Sequence, residues 1–569
     1  MTNDIPIAEA MTSGEPPSQE EMGDEVQRAP NTWRDLLSIV AWTILADLLI
    51  FRALGLSGPA VFFALAPMLF LIRINGRPRQ KSVLVIVALL LLLSLRTAWM
   101  GSWLNVVSGV TLIIALAMAC SGHAPLVLEG IMFGARAMVD GLLVLSGWKT
   151  EAPVAHYAEP VHAEPVHAEP AHAGTPGDAT PAAEPAWART AKRLRNLSAA
   201  FLMPVAAAIV FGLIFVFANP DLVGWFTDAV SQVWDIAWNW ISRISIFEIP
   251  FCIAALLLGA GLLRPYLPMP QFGPKQSLVQ TPGNAQADFY AAYRNTLVTL
   301  IVLFGVYLSF EFITLWRREF PAGFYYAGYA HQGAAWLTLA LALATGLLSL
   351  IFSGKVLQDP RLGGLRKLTW VWSGLNFLLA IAVYNRLMIY VGYNGMTRMR
   401  TVGFFGITLV VIGFALVLVK IARNRGFWWL IRGQLIALVL TVIAYGLFPV
   451  DWVAHKYNAS RVASGYLHPS VMIAVKQIND EGIVPLLSLT EVEDPIIREG
   501  VLAILAEREH KIRRSSEDSK WHWTRYQAAT DSLYPQLEAN QEKWKHYVRD
   551  WKARRSAINQ FRDYAMQWY

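Results

Sequence analysis

Long apolar runs separated by short polar segments are the dominant pattern of this chain. The clearest runs carry almost no charged residues and cover 83–95, 104–120, 297–313, 336–352, 401–419 and 430–447. A helix of about 20 apolar residues matches the hydrocarbon thickness of a bilayer. Because lipid offers no hydrogen bonds to the backbone, a segment that crosses it has to be helical. The pattern therefore predicts an all-α protein, a polytopic transmembrane helix bundle.

About eleven runs are long enough to span, and they fall into two groups, four spans followed by seven. The predicted spans lie at 36–54, 57–73, 82–98 and 104–120 within 33–147, and at 197–218, 246–264, 294–315, 332–354, 367–391, 400–420 and 427–448 within 194–450. The run at 125–147 carries Glu129, Arg136 and Asp140. This mixture predicts an amphipathic helix at the interface or against the bundle, and not another span.

Three polar regions flank these bundles. Residues 1–32 are acidic and poor in apolar side chains, which predicts a disordered tail. Residues 148–193 form a Pro/His-rich linker in which Ala-Glu-Pro-Val-His occurs at 158–162 and 163–167. Proline at every fifth position excludes helix and strand, so an extended spacer is expected. Its histidines lack a rigid scaffold, which favours a solvated spacer over a metal site.

The region 451–569 is predicted to be a small helical domain outside the membrane. Segments 483–489 and 496–506 predict two short helices, similar to one HEAT-type hairpin, with Asp494 and Pro495 capping the second. A single hairpin cannot bury its own core, so it has to pack on the membrane domain or on the tail. The stretch 516–569 predicts one or two amphipathic helices rich in aromatic and basic residues.

Lysine and arginine predict the orientation of the spans. They cluster at 73–82, 192–195, 355–367 and 420–425. With eleven spans and a cytoplasmic N-terminus, all four clusters lie on the cytoplasmic side, as the positive-inside rule requires. We therefore expect a multi-pass inner-membrane protein whose C-terminus is extracytoplasmic.

Composition excludes several classes of function. The net charge of +7 resides in short loops beside apolar runs, so no nucleic-acid partner is expected. Cys120 and Cys252 lie in apolar segments, which excludes a disulfide framework and a thiolate metal site. The chain has no phosphate-binding glycine loop, no His-Glu-x-x-His and no Gly-x-Ser-x-Gly. We assign no catalytic residue, metal or cofactor, and whether the protein is an enzyme stays open.

Polar residues recur at the outer ends of four consecutive spans. They form a candidate polar pocket made of Glu311, Tyr329, His331, Asn385, Arg386, Tyr393, Thr397, Arg398 and Arg400. A charge inside lipid costs a few kcal/mol, so it is usually paired or faces a cavity. One interpretation is a Glu311–Arg386 or Glu311–Arg398 pair that fixes helix packing. The other is a basic and aromatic pocket for an anionic headgroup or glycan, because guanidinium groups suit phosphate and carboxylate.

The order of several motifs resembles a known family. The motifs are Tyr-Ala-His-Gln-Gly at 329–333, Trp-Ser-Gly-Leu-Asn at 372–376, Arg-Leu-Met-Ile-Tyr at 386–390 and Tyr-Asn-Gly-Met-Thr-Arg-Met-Arg at 393–400. Over about 290–510 the chain is similar to a bacterial multi-pass membrane family catalogued as domain of unknown function 4173. The resemblance implies a membrane location in bacteria and no established activity.

Two functions remain open from the sequence. The first is a non-enzymatic scaffold or sensor of the bacterial envelope, with envelope proteins as partners of the helices in 451–569. The second is a transporter or transferase that handles an anionic lipid or glycolipid at the outer leaflet, with the candidate polar pocket as its site. Inverted repeats would favour a transporter, and no convincing internal repeat relates the two bundles.

Overall fold

The computed structural model describes residues 33–71, 80–146, 231, 245–266, 290–313, 326–352, 361–423, 425–518 and 522–568. The predicted acidic tail, the Pro/His-rich linker and the predicted span at 197–218 lie outside these residues. Every regular element within the described residues is a helix. The protein is therefore an all-α membrane protein, as the apolar pattern predicts.

The first bundle contains five helices. They are α1 (Trp33–Ala46), α2 (Ser57–Leu71), α3 (Gln80–Met100), α4 (Trp103–Cys120) and α5 (Val127–Ser146). A π-helical turn, Asp47–Phe51, continues α1, and the chain is irregular from Arg52 until α2 begins. The predicted span at 36–54 therefore starts as a regular helix and ends in a widened turn.

The second group of membrane helices follows the linker. They are α6 (Glu248–Leu263), α7 (Tyr290–Glu311), α8 (Tyr326–Ile351), α9 (Leu362–Asn394), α10 (Arg398–Ala422) and α11 (Phe427–Leu447). Buried Trp372, Phe414 and Leu348 form the centre of the core that joins α8, α9 and α10. The long apolar surfaces that remain exposed on these helices, such as Val302 and Val306 of α7, are suited to contact with lipid.

Six of the described helices are long and apolar enough to cross a membrane. They are Lys81–Met100, Trp103–Cys120, Tyr290–Glu311, Gly363–Asn394, Arg398–Ala422 and Phe427–Leu447. Three further apolar helices are shorter, at Ser57–Leu71, Glu248–Leu263 and Trp336–Ser349. All nine coincide with predicted spans. The total of eleven stays a prediction, since the predicted span at 36–54 is not among the nine and the one at 197–218 lies outside the described residues.

Helix α5 packs on α6 through two glycines. A methyl group at Gly141 would overlap the carbonyl oxygen of Leu257, and one at Gly261 would overlap that of Ala137. Such close backbone approach needs small residues at the crossing. The sequence predicted that the helix at 125–147 lies at the interface or packs against the bundle. In the described residues it packs against the bundle.

The C-terminal domain is built from short helices around one long helix. Its helices are α12 (Val450–Ala463), α13 (Ser470–Val475), α14 (Asp480–Ile483), α15 (Pro495–Asp518), α16 (Ala528–Ala539), α17 (Lys545–Arg549) and α18 (Trp551–Ala565). Buried Trp544, Phe561 and Val501 lie in its core. The Asp494 carboxylate accepts hydrogen bonds from the Ile496 and Ile497 amides and caps α15.

The helical hairpin differs from its prediction in two ways. Most of its first arm, Val484–Leu489, is a 3₁₀-helix, and Pro485 near its start has no amide hydrogen to donate. Its second arm, α15, continues for 24 residues because α18 packs along it and buries its apolar side. Within its described residues, 522–568, the tail contains three α-helices where one or two were expected.

The C-terminal domain contacts the ends of several membrane helices. Arg96 near the end of α3 forms an ion pair with Glu481 of α14 at 2.7 Å. The turn between α9 and α10 contacts α12, because the Met396 amide donates to the Asn458 side chain at 2.6 Å. The ends of α3 and α9 therefore share one side of the bundle.

Candidate functional site

A cavity of about 760 Å³ lies where α9 and α10 meet the C-terminal domain. Its walls are mainly apolar, and its charged groups lie at the start of α10, on α12 and directly after α13. It is lined by Thr338, Leu387, Tyr390, Met396, Thr397, Arg398, Met399, Arg400, Gly403, Gly406, Ile407, Asp451, Ala454, His455, Met472, Lys476 and Gln477. The size suits a small-molecule ligand, for which pockets of about 300–1,000 Å³ are typical.

A tight turn positions the basic residues of the cavity. Gly395 ends α9 with φ +82°, a conformation that side-chain-bearing residues rarely adopt. A Cβ atom there would also lie 2.5 Å from the Asn458 side-chain oxygen. Thr397 is the N-cap of α10, and its hydroxyl accepts a hydrogen bond from the Arg400 amide at 3.3 Å. The turn and cap together fix the first turn of α10 beside α12.

Arg398 is bound to Asp451 of α12 through one edge of its guanidinium. Its Nε donates to Asp451 Oδ1 at 2.5 Å, and its Nη2 donates to Oδ2. The Asp451 side chain is 2% exposed, whereas that of Arg398 is 51% exposed. Asp451 Oδ2 also accepts the Asn479 amide at 3.0 Å. Half of the Arg398 side chain is thus held by a buried carboxylate, and half is accessible beside the cavity.

Arg400 fastens the turn and adds a second positive charge. Its Nη1 donates to the Asn394 carbonyl at 2.9 Å and to the Gly395 carbonyl. Its guanidinium lies 4.0 Å from the centre of the Tyr390 ring, a cation–π contact. No carboxylate neutralises Arg400 among the described ion pairs. Its charge therefore contributes to the field inside the cavity.

His455 and Lys476 complete the polar side of the cavity. His455 is buried, and burial lowers its pKa to about 4, with Asp451 raising it and Arg398 lowering it further. The imidazole is therefore neutral near pH 7, and its Nδ1 has no hydrogen-bond partner among the described residues. Lys476 is exposed and forms no ion pair within the described part of the chain. The cavity thus has three cations and one carboxylate.

Glu311 and Arg386 form a separate, buried ion pair. Arg386 Nε donates to Glu311 Oε1 at 2.7 Å, and Nη2 donates to Oε2 at 2.5 Å. The Tyr307 hydroxyl donates to Glu311 Oε2 at 2.9 Å and accepts from Arg386 Nη2 at 3.1 Å. This is one of the two pairs considered from the sequence. The other, Glu311–Arg398, is absent because Arg398 bonds to Asp451.

The predicted polar pocket is therefore divided. Thr397, Arg398 and Arg400 line the cavity, whereas neither Asn385 nor Tyr393 is among its lining residues. Tyr393 instead accepts a hydrogen bond from the Tyr466 hydroxyl on its main-chain oxygen at 3.1 Å. Tyr329 and His331 lie on α8, with side chains outside the described set.

Among the cavity residues outside the predicted pocket are one carboxylate, one imidazole and one ammonium group: Asp451, His455 and Lys476. Asp451 and His455 could have been found from the sequence. They directly follow the last span at a spacing of four residues, which puts both on one face of a helix. Lys476 could not have been found in this way, since it follows a short helix far along the chain.

The donor set indicates which ligands the cavity suits. The described residues contain no group of three or more His, Cys, Asp or Glu side chains placed to hold a metal ion. Guanidinium and ammonium groups bind phosphate and carboxylate, and the apolar wall of Leu387, Met399 and Ile407 suits hydrocarbon. The arrangement therefore fits a ligand that is anionic at one end and apolar at the other.

Comparison with known proteins identifies the family but no activity. Neither curated proteins nor solved structures give a significant match. The family described as Domain of unknown function (DUF4153) matches residues 83–477, which is well over half of the chain. The expected family, number 4173, is not the one that matches, although both are families of unknown function. This protein belongs to the DUF4153 family of proteins, whose function is unknown.

Proposed function

We propose that this protein is a non-enzymatic sensor in the bacterial inner membrane that binds an anionic lipid or glycolipid in the cavity. One observation carries the proposal: a half-exposed Arg398, with Arg400 and Lys476 nearby, lies beside an apolar wall. Cations at the end of a membrane helix bind anionic headgroups, while an apolar surface accepts the start of an acyl chain.

The location of the cavity supports a role in sensing. Its lining comes from three membrane helices, α8, α9 and α10, and from α12, α13 and the residues directly after α13 in the C-terminal domain. A bound headgroup would therefore contact both parts of the protein at once. In the predicted topology this end of the bundle is extracytoplasmic, so the ligand would come from the outer leaflet. The helices of 451–569 would then pass the bound state to envelope proteins.

Lipid binding is tested by native mass spectrometry of the purified full-length protein. The protein is reconstituted with phosphatidylglycerol or with phosphatidylcholine as the zwitterionic comparison. We expect a phosphatidylglycerol adduct on the wild type that Arg398→Gln/Lys476→Gln loses. The matched control is Lys552→Gln/Arg555→Gln, which removes the same charge from two exposed positions on α18. Equal adducts on all three proteins would contradict the proposal and leave a scaffold role.

A transferase acting on the same ligand is the second candidate. His455 favours it, because it lines the cavity, is neutral near pH 7 and has a nitrogen without a hydrogen-bond partner among the described residues, so it is able to hydrogen-bond a ligand hydroxyl. Phosphatidylglycerol carries both a phosphatidyl group to transfer and a hydroxyl to accept it, with glycerol as the leaving group, so incubation of the protein with this lipid, followed by lipid mass analysis, tests for a converted product. A product formed by wild type and not by His455→Gln would replace the sensor proposal with catalysis.

A further inference from the structure

A continuous series of polar contacts leads out of the cavity through Asp451. One carboxylate oxygen of Asp451 accepts from Arg398, and the other accepts from Arg398 and from the Asn479 amide at 3.0 Å. Asn479 is the N-cap of α14, and its side chain accepts from the Gly482 amide at 3.1 Å. The buried carboxylate thus connects the first turn of α10 with the start of α14.

Helix α14 in turn holds the first bundle. Glu481 of α14 is 4% exposed. It accepts two hydrogen bonds from Arg96 of α3, at 2.8 Å and 2.7 Å. A bidentate, largely buried pair of this kind is strong and sensitive to geometry. A shift of α14 would therefore be transmitted directly to α3.

Other contacts beside this pair define a docking surface between the C-terminal domain and the first bundle. We use this name for Arg96–Glu481 together with the contacts of segments 54–57 and 97–101 with 524–527. Within it, the Leu54 amide donates to the Thr524 hydroxyl at 3.0 Å. The Gly101 amide donates to the Gln527 side chain at 2.6 Å. None of these residues lines the cavity.

An anion in the cavity would compete with the Asp451 carboxylate for Arg398. The anion would bind the accessible edge of the guanidinium while Asp451 holds the other edge, and two negative charges that close together repel each other. Asp451 is buried, so a weaker bond to Arg398 leaves its negative charge less stabilised. The groups around Asp451 then have to move to stabilise that charge. The other described hydrogen-bond partner of Asp451 is the Asn479 amide at the start of α14. A movement of Asp451 is therefore transmitted to α14.

We propose that Asp451 is a switch residue through which an anionic headgroup in the cavity loosens the docking surface. The headgroup draws Arg398 away from Asp451, Asp451 and Asn479 move together, and the Glu481–Arg96 pair weakens. This inference rests on the proposed function for its ligand. The relay from Asp451 to Arg96 does not, because all of its contacts exist without one.

Thermodynamic linkage gives the proposal a remote test. If ligand binding weakens docking by a given factor, complete release of the docking surface has to strengthen ligand binding by the same factor. Arg96→Gln, which does not touch the cavity, should therefore raise the affinity for phosphatidylglycerol. Couplings of this kind are typically about 5-fold or more. Asp451→Asn, which removes the competing charge, should also raise it, whereas a merely structural Asp451 would lower it.

Hydrogen exchange of full-length protein in nanodiscs measures the docking surface. Peptides that contain the Leu54 and Gly101 amides report on it directly. We expect faster exchange in phosphatidylglycerol nanodiscs than in phosphatidylcholine nanodiscs, and fast exchange in both for Arg96→Gln. Lys543→Gln, which breaks an exposed ion pair with Glu491 elsewhere in the C-terminal domain, is the control and should behave like wild type.

The outcomes separate the two proposals. Phosphatidylglycerol binding with unchanged exchange at both peptides, and unchanged affinity in Arg96→Gln, overturns the switch and leaves the sensor proposal intact. If no lipid binds, the sensor proposal fails, and Arg398→Gln still tests the relay without a ligand. Loss of the Arg398 partner should then raise exchange at Leu54 and Gly101. Unchanged exchange in that variant would overturn the relay as well.

Discussion

Replacement of Arg386 by methionine is the sharpest test of how the membrane bundle is held together. Arg386 and Glu311 are 2% and 1% exposed, and they share two direct hydrogen bonds and one tyrosine hydroxyl. Arg386→Met leaves the Glu311 carboxylate buried with Tyr307 as its remaining partner in this network. Loss of one partner of a buried pair costs about 3–5 kcal/mol.

The double variant Glu311→Gln/Arg386→Met distinguishes this account from a simple loss of packing. A buried ion pair replaced by groups of similar volume is often neutral or even stabilising, since the desolvation penalty disappears together with the attraction. The double variant should therefore recover most of the stability that Arg386→Met loses. Glu311→Gln alone should be destabilised, because Arg386 then keeps a buried charge without its carboxylate.

Equilibrium unfolding in mixed micelles, followed by tryptophan fluorescence, measures the free energy of unfolding of all four proteins. We expect a coupling energy between the two positions of at least about 2 kcal/mol, in the upper part of the range for residues in one network. A loss below about 1 kcal/mol for Arg386→Met, with additive effects in the double variant, would refute the reasoning. The pair would then be a minor contact.

Three other predictions follow from the described contacts. Gly141→Ala and Gly261→Ala should lower the yield of folded protein, because each methyl group meets backbone at the α5–α6 crossing, whereas Gly346→Ala, which has open space, should not; size-exclusion profiles compare the three. Burial and a hydrogen bond to Glu499 raise the pKa of Tyr547 to about 12. Its contribution to stability should be present below about pH 10 and be lost as pH rises towards 12, and thermal melts of Tyr547→Phe should lack that decline. A reporter fused to the C-terminus should be active only outside the cytoplasm, and activity inside the cytoplasm would contradict eleven spans.

Local sequence determined the class of the protein and many of its helix boundaries. The length of an apolar run decides whether a helix matches the bilayer, and that property does not depend on any partner. The same holds for Asp494, whose cap involves amides two and three residues away. Sequence also required that a charge such as Arg386 be paired or face a cavity, since burial in lipid is costly.

Tertiary structure alone decided which partner each charge has. Arg386 pairs with Glu311 on α7, and Arg398 pairs with Asp451 on α12, although Glu311 was the partner considered for both. The choice depends on the rotation and depth of whole helices relative to one another, which the spacing along one helix does not contain. For the same reason Lys476 reaches the cavity only because α13 folds back towards α10. The candidate site is a product of packing, whereas the membrane helices themselves follow from local hydrophobicity.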